Sequence, residues 1–238
     1  MQAKEYLKKY LEPSKLEEGL KRLENGEAVQ YIVGNVEFYN TVINVNKNVL
    51  IPRFETEELV EKTINYINKY FNKKIDILDL GTGSGCIAIA LAKNTDSCVD
   101  AVDISDKALE VARENALLNN VDVNFIKQDM TIPNDKLYDV IISNPPYLRD
   151  ESEVEEIVKN NEPELALYAN DDGMYFYKKI LENYKNSLKD RFIIAFELGY
   201  NQADILCEFA KKIYSNSKVI IDYDLTGYKR FLFVINVD

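Results

Sequence analysis

Short apolar runs alternate along this chain with longer segments whose apolar positions recur every three or four residues, the pattern of strands wrapped by helices. The runs fall at 75–80, 98–102, 123–126, 138–143, 192–197, 219–223 and 231–235. Helical spacing marks 56–70, through Leu59, Val60, Thr63, Ile64 and Ile67, and 105–119, through Ala108, Val111, Ala112 and Leu118. Thr56 and Ser105 are the expected N-caps of these two helices. Further helices are expected from Cys86, over 173–188, and through Ala210. Residues 36–45 alternate around Tyr39-Asn40, which predicts a β-hairpin, placed beside the functional site. A short turn at Thr226-Gly227 joins the last two runs, predicting a terminal hairpin that puts one antiparallel strand into an otherwise parallel sheet. Residues 148–170 are polar and acidic without clear periodicity, and are long enough to be a functional loop. Near the N-terminus, Leu7, Tyr10, Leu11, Leu16, Leu20 and Leu23 predict one or two short amphipathic helices, too little for an independent core.

Two of the strand ends carry chemistry. After Asp79-Leu80 comes Gly81-Thr82-Gly83-Ser84-Gly85 and then a small, apolar helix, so the segment reads strand, glycine loop, helix. Glycines let a ligand lie against main-chain atoms, and a nucleotide-like cofactor is implied. The Gly-x-Gly-x-Gly spacing is not that of a dinucleotide fold, and the Gly-Lys-Ser/Thr of a triphosphate loop is absent. The next strand delivers Asp103, followed by Ile104; a carboxylate there suits both hydroxyls of a ribose. At the following strand end, Asp129 is positioned to accept from an adenine amino group and Met130 to cover the ring.

The run at 138–143 ends in Asn144-Pro145-Pro146-Tyr147. Prolines stop the strand and fix the backbone. The Asn carboxamide and a proline carbonyl can both accept from an NH2 group while Tyr147 packs on its flat face. An amide or a base amine fits such a site, and a plain turn with an aromatic cover is the structural alternative.

Composition narrows the field. The chain has 238 residues with 46% hydrophobic content, enough for one sizeable α/β core. Its zero histidines exclude Ser-His and Cys-His nucleophilic catalysis and His-rich zinc sites. The net charge of −11 disfavours a substrate held through a phosphate backbone and favours a basic protein loop. Cys86, Cys98 and Cys207 show no metal spacing and read as core thiols of a reducing compartment. Neither an apolar stretch of membrane length nor a signal-peptide core is present, so a cytoplasmic protein is expected.

These residues resemble the class I S-adenosylmethionine-dependent methyltransferases, and within them the release-factor glutamine methyltransferases. Besides the two motifs above, the resemblance rests on Gln30-Tyr31-Ile32-Val33-Gly34, on Leu50-Ile51-Pro52-Arg53-Phe54-Glu55-Thr56-Glu57, and on Glu162-Pro163 with Ala166-Leu167 and Gly173. It extends to Glu197-Leu198-Gly199 with Gln202, and to Asp224-Leu225 with Gly227 and Arg230. Asn-Pro-Pro-Tyr is shared with amino-methylating enzymes of DNA and ribosomal RNA; the 51–57 segment narrows the match to the glutamine enzymes. Competing readings are a DNA-adenine or ribosomal-RNA-guanine amino-methyltransferase and a noncatalytic cofactor-binding protein.

The resemblance implies a seven-stranded, doubly wound α/β sheet with an antiparallel terminal hairpin. The catalytic domain would span 56–238, preceded by a hairpin and linker at 30–55 and a helical remnant at 1–29, shorter than the family's usual N-terminal domain. It implies S-adenosylmethionine held by Asp79, Gly81, Thr82, Gly83, Ser84, Gly85, Asp103, Ile104, Asp129, Met130 and Asn144, and no metal. Asn144, Pro145 and Tyr147 would be catalytic, with Pro146 completing the substrate slot. The implied partner is a peptide chain release factor, engaged through its Gly-Gly-Gln loop. Neither direct nucleic-acid contact nor a membrane is expected, and the protein is expected to be a monomer, with a small partner protein as one way of replacing the missing domain.

Overall fold

A computed structural model describes residues 2–237. In chain order its elements are α1 (Ala3–Tyr10), α2 (Leu16–Glu24), α3 (Val29–Val33), β1 (Asn35–Phe38), β2 (Thr41–Asn44), α4 (Phe54–Tyr70) and β3 (Ile75–Leu80). There follow α5 (Cys86–Asn94), β4 (Ser97–Asp103), α6 (Asp106–Asn119), β5 (Asn124–Lys127), β6 (Tyr138–Ser143) and α7 (Glu156–Asn161). The chain closes with α8 (Tyr175–Asn183), β7 (Leu188–Glu197), α9 (Ala203–Ile213), β8 (Lys218–Tyr223) and β9 (Lys229–Asn236).

The seven-stranded sheet has the order β5-β4-β3-β6-β7-β9-β8, with β9 antiparallel to both of its neighbours. The expected doubly wound sheet with a terminal hairpin is thus present. Every residue of β6 is buried, because helices cover both faces of this central strand. One apolar core packs Leu59, Val60, Ile64 and the apolar face of α5 against the sheet; the other packs Tyr177, Ile180, Leu181 and Leu206 against the opposite face. Strand order reverses between β3 and β6, the point at which open α/β sheets leave a crevice at their carboxyl ends. Their register pairs Leu80 with Ser143, which sets the glycine loop and Asn144 side by side at that crevice.

Several expectations are corrected. Helix α4 starts at Phe54 after Arg53, so Thr56 lies in its first turn and does not cap it. Ser105 does cap α6, accepting from Ala108 N at 3.3 Å. The helix expected over 173–188 ends at Asn183 and tightens into a 3-10 turn at Tyr184–Ser187, and β7 begins earlier than the apolar run suggested. The hairpin β1–β2 forms and grips α6, a few residues before the chain reaches the cleft wall at Asn48. Asn115 Nδ2 donates to Asn44 O while its Oδ1 accepts from Asn44 N, and Asn119 treats Val42 in the same way. These buried amides stand in for a neighbouring strand. Cys98 is exposed and Cys207 half-buried, leaving Cys86 as the one core thiol. At the N-terminus, α1 and α2 pack on α3, with Gly19 against Leu11 and Ile32. No helix among the described residues is long and apolar enough to cross a membrane.

Candidate active site

The glycine loop owes its shape to main-chain bonds. Gly81 N and Thr82 N both donate to Val102 O at 2.9 Å, which folds the loop back over the end of β4. Gly81, Gly83 and Gly85 all have positive φ, where side chains are strained. Asp103 Oδ2 accepts from Gly83 N at 2.8 Å and its Oδ1 accepts from Ser105 N at 2.9 Å. Burial raises the Asp103 pKa, and N–H groups of Ser105, Gly83 and Ile104 hold it down. Asp79, fully buried beneath the loop, accepts from Thr82 Oγ1 at 2.6 Å, and burial pushes it up to about 7.

A cleft opens above this loop. Its walls include Gly81, Gly83, Asp103, Ile104, Met130, Asn144 and Pro146, all expected from the sequence. Thr82, Ser84 and Gly85 shape the loop from behind: Ser84 O accepts from Asn115 Nδ2, and a Cβ on Gly85 would lie 3.1 Å from the Ala112 Cβ. Asp129 is not brought to the wall, and its Oδ1 is taken by the amide and hydroxyl of Thr131. Wall residues to which the sequence assigned no cofactor role come from 48–50, just past the hairpin, and from Pro163, Leu165 and Ala166 in the acidic connection, the expected functional loop. Asp79 Oδ1 is a buried oxygen without a hydrogen-bond partner. A half-buried carboxylate at the β4 end, a glycine loop open to main-chain contact and an apolar Met130 flank fit a cationic amino-acid nucleoside such as S-adenosylmethionine.

A second cavity adjoins the first, and the two share Leu50, Asn144 and Ala166. It is lined further by Arg53, Tyr147, Glu153, Val158 and Leu167. The 148–170 connection therefore forms a wall here. Arg53 joins the wall while donating to Glu162 Oε1 at 2.5 Å, so this segment is both a pocket wall and an ion-paired helix start. Asn144 stands where the two cavities meet. Its Nδ2 donates to Thr56 Oγ1 at 3.2 Å, and Thr56 Oγ1 donates to Glu197 Oε2 at 2.7 Å. Glu197 is buried at the end of β7, and burial raises it to about 7.

The sequence landmarks without assigned chemistry converge on the Tyr147 backbone. Gln202 Nε2 donates to Tyr147 O at 3.0 Å, and its Oε1 accepts from Gly199 N at 3.0 Å. A Cβ on Gly173 would fall 2.0 Å from Tyr147 O, and one on Gly199 would fall 2.8 Å from the Tyr147 ring. Arg230 Nη1 donates to Leu198 O at 2.9 Å, tying the terminal hairpin to the same loop. Pro145 and Pro146 are buried, while Asn144 and Tyr147 are half-buried with one side facing the cavities. Among the described residues no cluster of potential ligands that could hold a metal is found.

The family profile described as "Methyltransferase small domain" matches residues 57–167. A solved methyltransferase from Pyrococcus furiosus shares the fold, with a TM-score of 0.63 at 17% identity over 93% of this chain and 100% of that one. The release factor-specific protein-(glutamine-N5) methyltransferase of Alicyclobacillus acidocaldarius aligns with a TM-score of 0.53 and 26% identity, covering 82% of this chain and 99% of that one. The release factor glutamine methyltransferase of Streptococcus pneumoniae is 43% identical over 208 residues, covering 86% of this chain and 74% of that protein. At that identity and coverage, the chain belongs to the family of release factor glutamine methyltransferases.

Proposed function

We propose that this protein transfers a methyl group from S-adenosylmethionine to the side-chain amide nitrogen of the glutamine in the Gly-Gly-Gln loop of peptide chain release factors. The observation that carries this reading is the place of Asn144, on the wall common to the two cavities with its Nδ2 tied to Thr56. Its Oδ1 is left to accept from an incoming NH2 group. S-adenosylmethionine, when bound, supplies a sulfonium methyl as the electrophile.

Everything else falls to the chain. Asp103 would hold the ribose hydroxyls, the glycine loop would run along the amino-acid part, and Met130 and Ile104 would flank the base. An amide nitrogen is a poor nucleophile because its lone pair is delocalised into the carbonyl. Hydrogen bonds to Asn144 Oδ1 and the Pro145 carbonyl would aim that lone pair and favour pyramidal nitrogen as positive charge develops. Near-attack alignment supplies up to about 7–11 kcal/mol of barrier reduction. Tyr147, half-buried and anchored through its carbonyl, would close the slot over the flat amide. After transfer the nitrogen is far more acidic and loses its proton to water, so no dedicated base is needed.

The two glycines of the acceptor loop allow a narrow backbone to reach between Arg53 and Leu167. In this reading the enzyme works as a cytoplasmic monomer on a protein loop, without gripping nucleic acid. Incubation with isotopically labelled S-adenosylmethionine and a Gly-Gly-Gln peptide, with duplex DNA and ribosomal RNA as controls, tests it. Label in the peptide supports the assignment, and label confined to nucleic acid overturns it.

A further inference from the structure

We propose that Thr56 and Glu197 are positioning residues that fix which end of the Asn144 carboxamide faces the acceptor. This rests on the reaction assigned above and adds to it a device outside the tetrapeptide. An Asn side chain presents nearly the same shape with its oxygen or its NH2 outward. Only the oxygen outward accepts from a glutamine amide; the reverse sets donor against donor.

The choice is made by counting hydrogens. A threonine hydroxyl carries one hydrogen, and an ionised carboxylate only accepts. Thr56 Oγ1 therefore commits its hydrogen to Glu197 Oε2, 2.7 Å away, and turns a lone pair toward Asn144. At 3.2 Å the Asn144 group facing that lone pair is the NH2, which leaves Oδ1 facing the cavity. Thr56 sits in the first turn of α4, whose N-terminal dipole favours a negative charge nearby. Helix α4, strand β7 and the loop that follows β6 thus meet to set one torsion.

Protonating Glu197 reverses the chain. The carboxylic acid donates to Thr56 Oγ1, the Thr56 hydrogen is released toward Asn144, and the amide turns its oxygen inward. The charged and titratable groups around Glu197 are Arg53 and Glu55 at the start of α4, Arg230 on β9, Tyr147 in the loop, Tyr177 on α8 and Cys86 on α5. Arg230 and Arg53 favour the ionised form and Glu55 opposes it; burial is the largest influence and holds Glu197 up at about 7.

The test is turnover on a folded release factor at saturating cofactor, with cofactor affinity measured separately by calorimetry. Thr56→Val keeps the shape and removes the relay oxygen; its kcat is expected to fall by about 10²-fold with cofactor affinity kept. Thr56→Ser, which retains the hydroxyl, is expected to restore most of the loss. Wild-type turnover in Thr56→Val would remove the relay. Should Thr56→Val not fold, Glu197→Gln carries the test. Wild-type kcat is expected to decline as pH falls through neutrality, whereas an amide at 197 cannot change protonation and lacks that decline. The same decline in both, or none in the wild type, would overturn the proposal. Absence of wild-type methylation would count against the assigned reaction and the relay together, while normal wild-type activity beside a fully active Thr56→Val removes the relay alone.

Discussion

Asn144 donates through Nδ2 to the Thr56 hydroxyl at 3.2 Å, a bond that spans 88 residues and locks the side chain standing between the two cavities. Its consequence is a separation of roles. Asn144→Ala is expected to lower turnover by about 10²–10³-fold, the scale of losing one group aimed at developing charge. Cofactor affinity should stay close to wild type, because the cleft keeps its other walls. Steady-state kinetics on the Gly-Gly-Gln substrate, paired with calorimetry, separates the two quantities, and near-normal turnover would remove Asn144 from the chemistry.

Asp103 acts on the other side of the site. Its carboxylate already organises Gly83 N and Ser105 N, so it has a structural and a binding share. Asp103→Ala is expected to weaken S-adenosylmethionine by about 1.5–3 kcal/mol, the worth of a charged hydrogen bond. Unchanged affinity in a folded variant would take Asp103 out of the cofactor site.

Gly173 has φ +77°, and a Cβ there would sit 2.0 Å from Tyr147 O. A main-chain oxygen cannot give way as a flexible side chain does. Gly173→Ala is therefore expected to displace the Tyr147 loop, lowering the melting temperature and also the turnover of whatever protein remains folded, with stability losses of about 1–3 kcal/mol. Thermal melts and kinetics on the same preparation check this. An alanine variant that behaves as wild type would show that the close approach is not needed.

Asp79 carries a pH dependence of stability. Burial raises it from 3.8 to about 7, so the folded protein binds a proton more tightly than the unfolded chain does. Its contribution is fully present below the unfolded value, and it is lost as pH rises through about 7. Asp79→Asn, which cannot ionise, should flatten the fall in stability of the cofactor-free protein across neutrality. Denaturant midpoints at several pH values measure this, and parallel curves for the two proteins would contradict it.

The parts of the site that could be read from the chain are those made by neighbours in sequence. Gly81 to Gly85, Asp103 and Asn144 to Tyr147 each sit at the end of an apolar strand, where local spacing reveals both backbone shape and chemistry. Gly173, Gly199 and Gln202 stood out only as landmarks of a resemblance, because their common task becomes visible when Tyr147 lies against them. The Thr56–Glu197 bond joins residues 141 apart, and no periodicity encodes it. In the sequence Thr56 reads as a cap, because a hydroxyl before an apolar helix usually is one. The docking of the hairpin is hidden for a similar reason: alternation predicts two strands, while Asn115 and Asn119, which decide where they dock, read as ordinary polar positions of an amphipathic helix. Asp129 fitted a spacing, and the structure commits one of its oxygens to Thr131.

The roles proposed for Asn144, Asp103 and Thr56 all depend on methylation of the loop glutamine of a release factor. Its most direct test is mass spectrometry of a folded release factor after incubation with the protein and S-adenosylmethionine, with Asn144→Ala run in parallel. A single added methyl group on the side chain of the Gly-Gly-Gln glutamine, strongly reduced with the variant, is the predicted result. An unmodified glutamine after full incubation with folded, cofactor-binding enzyme, or a methyl group placed on another residue, would contradict it.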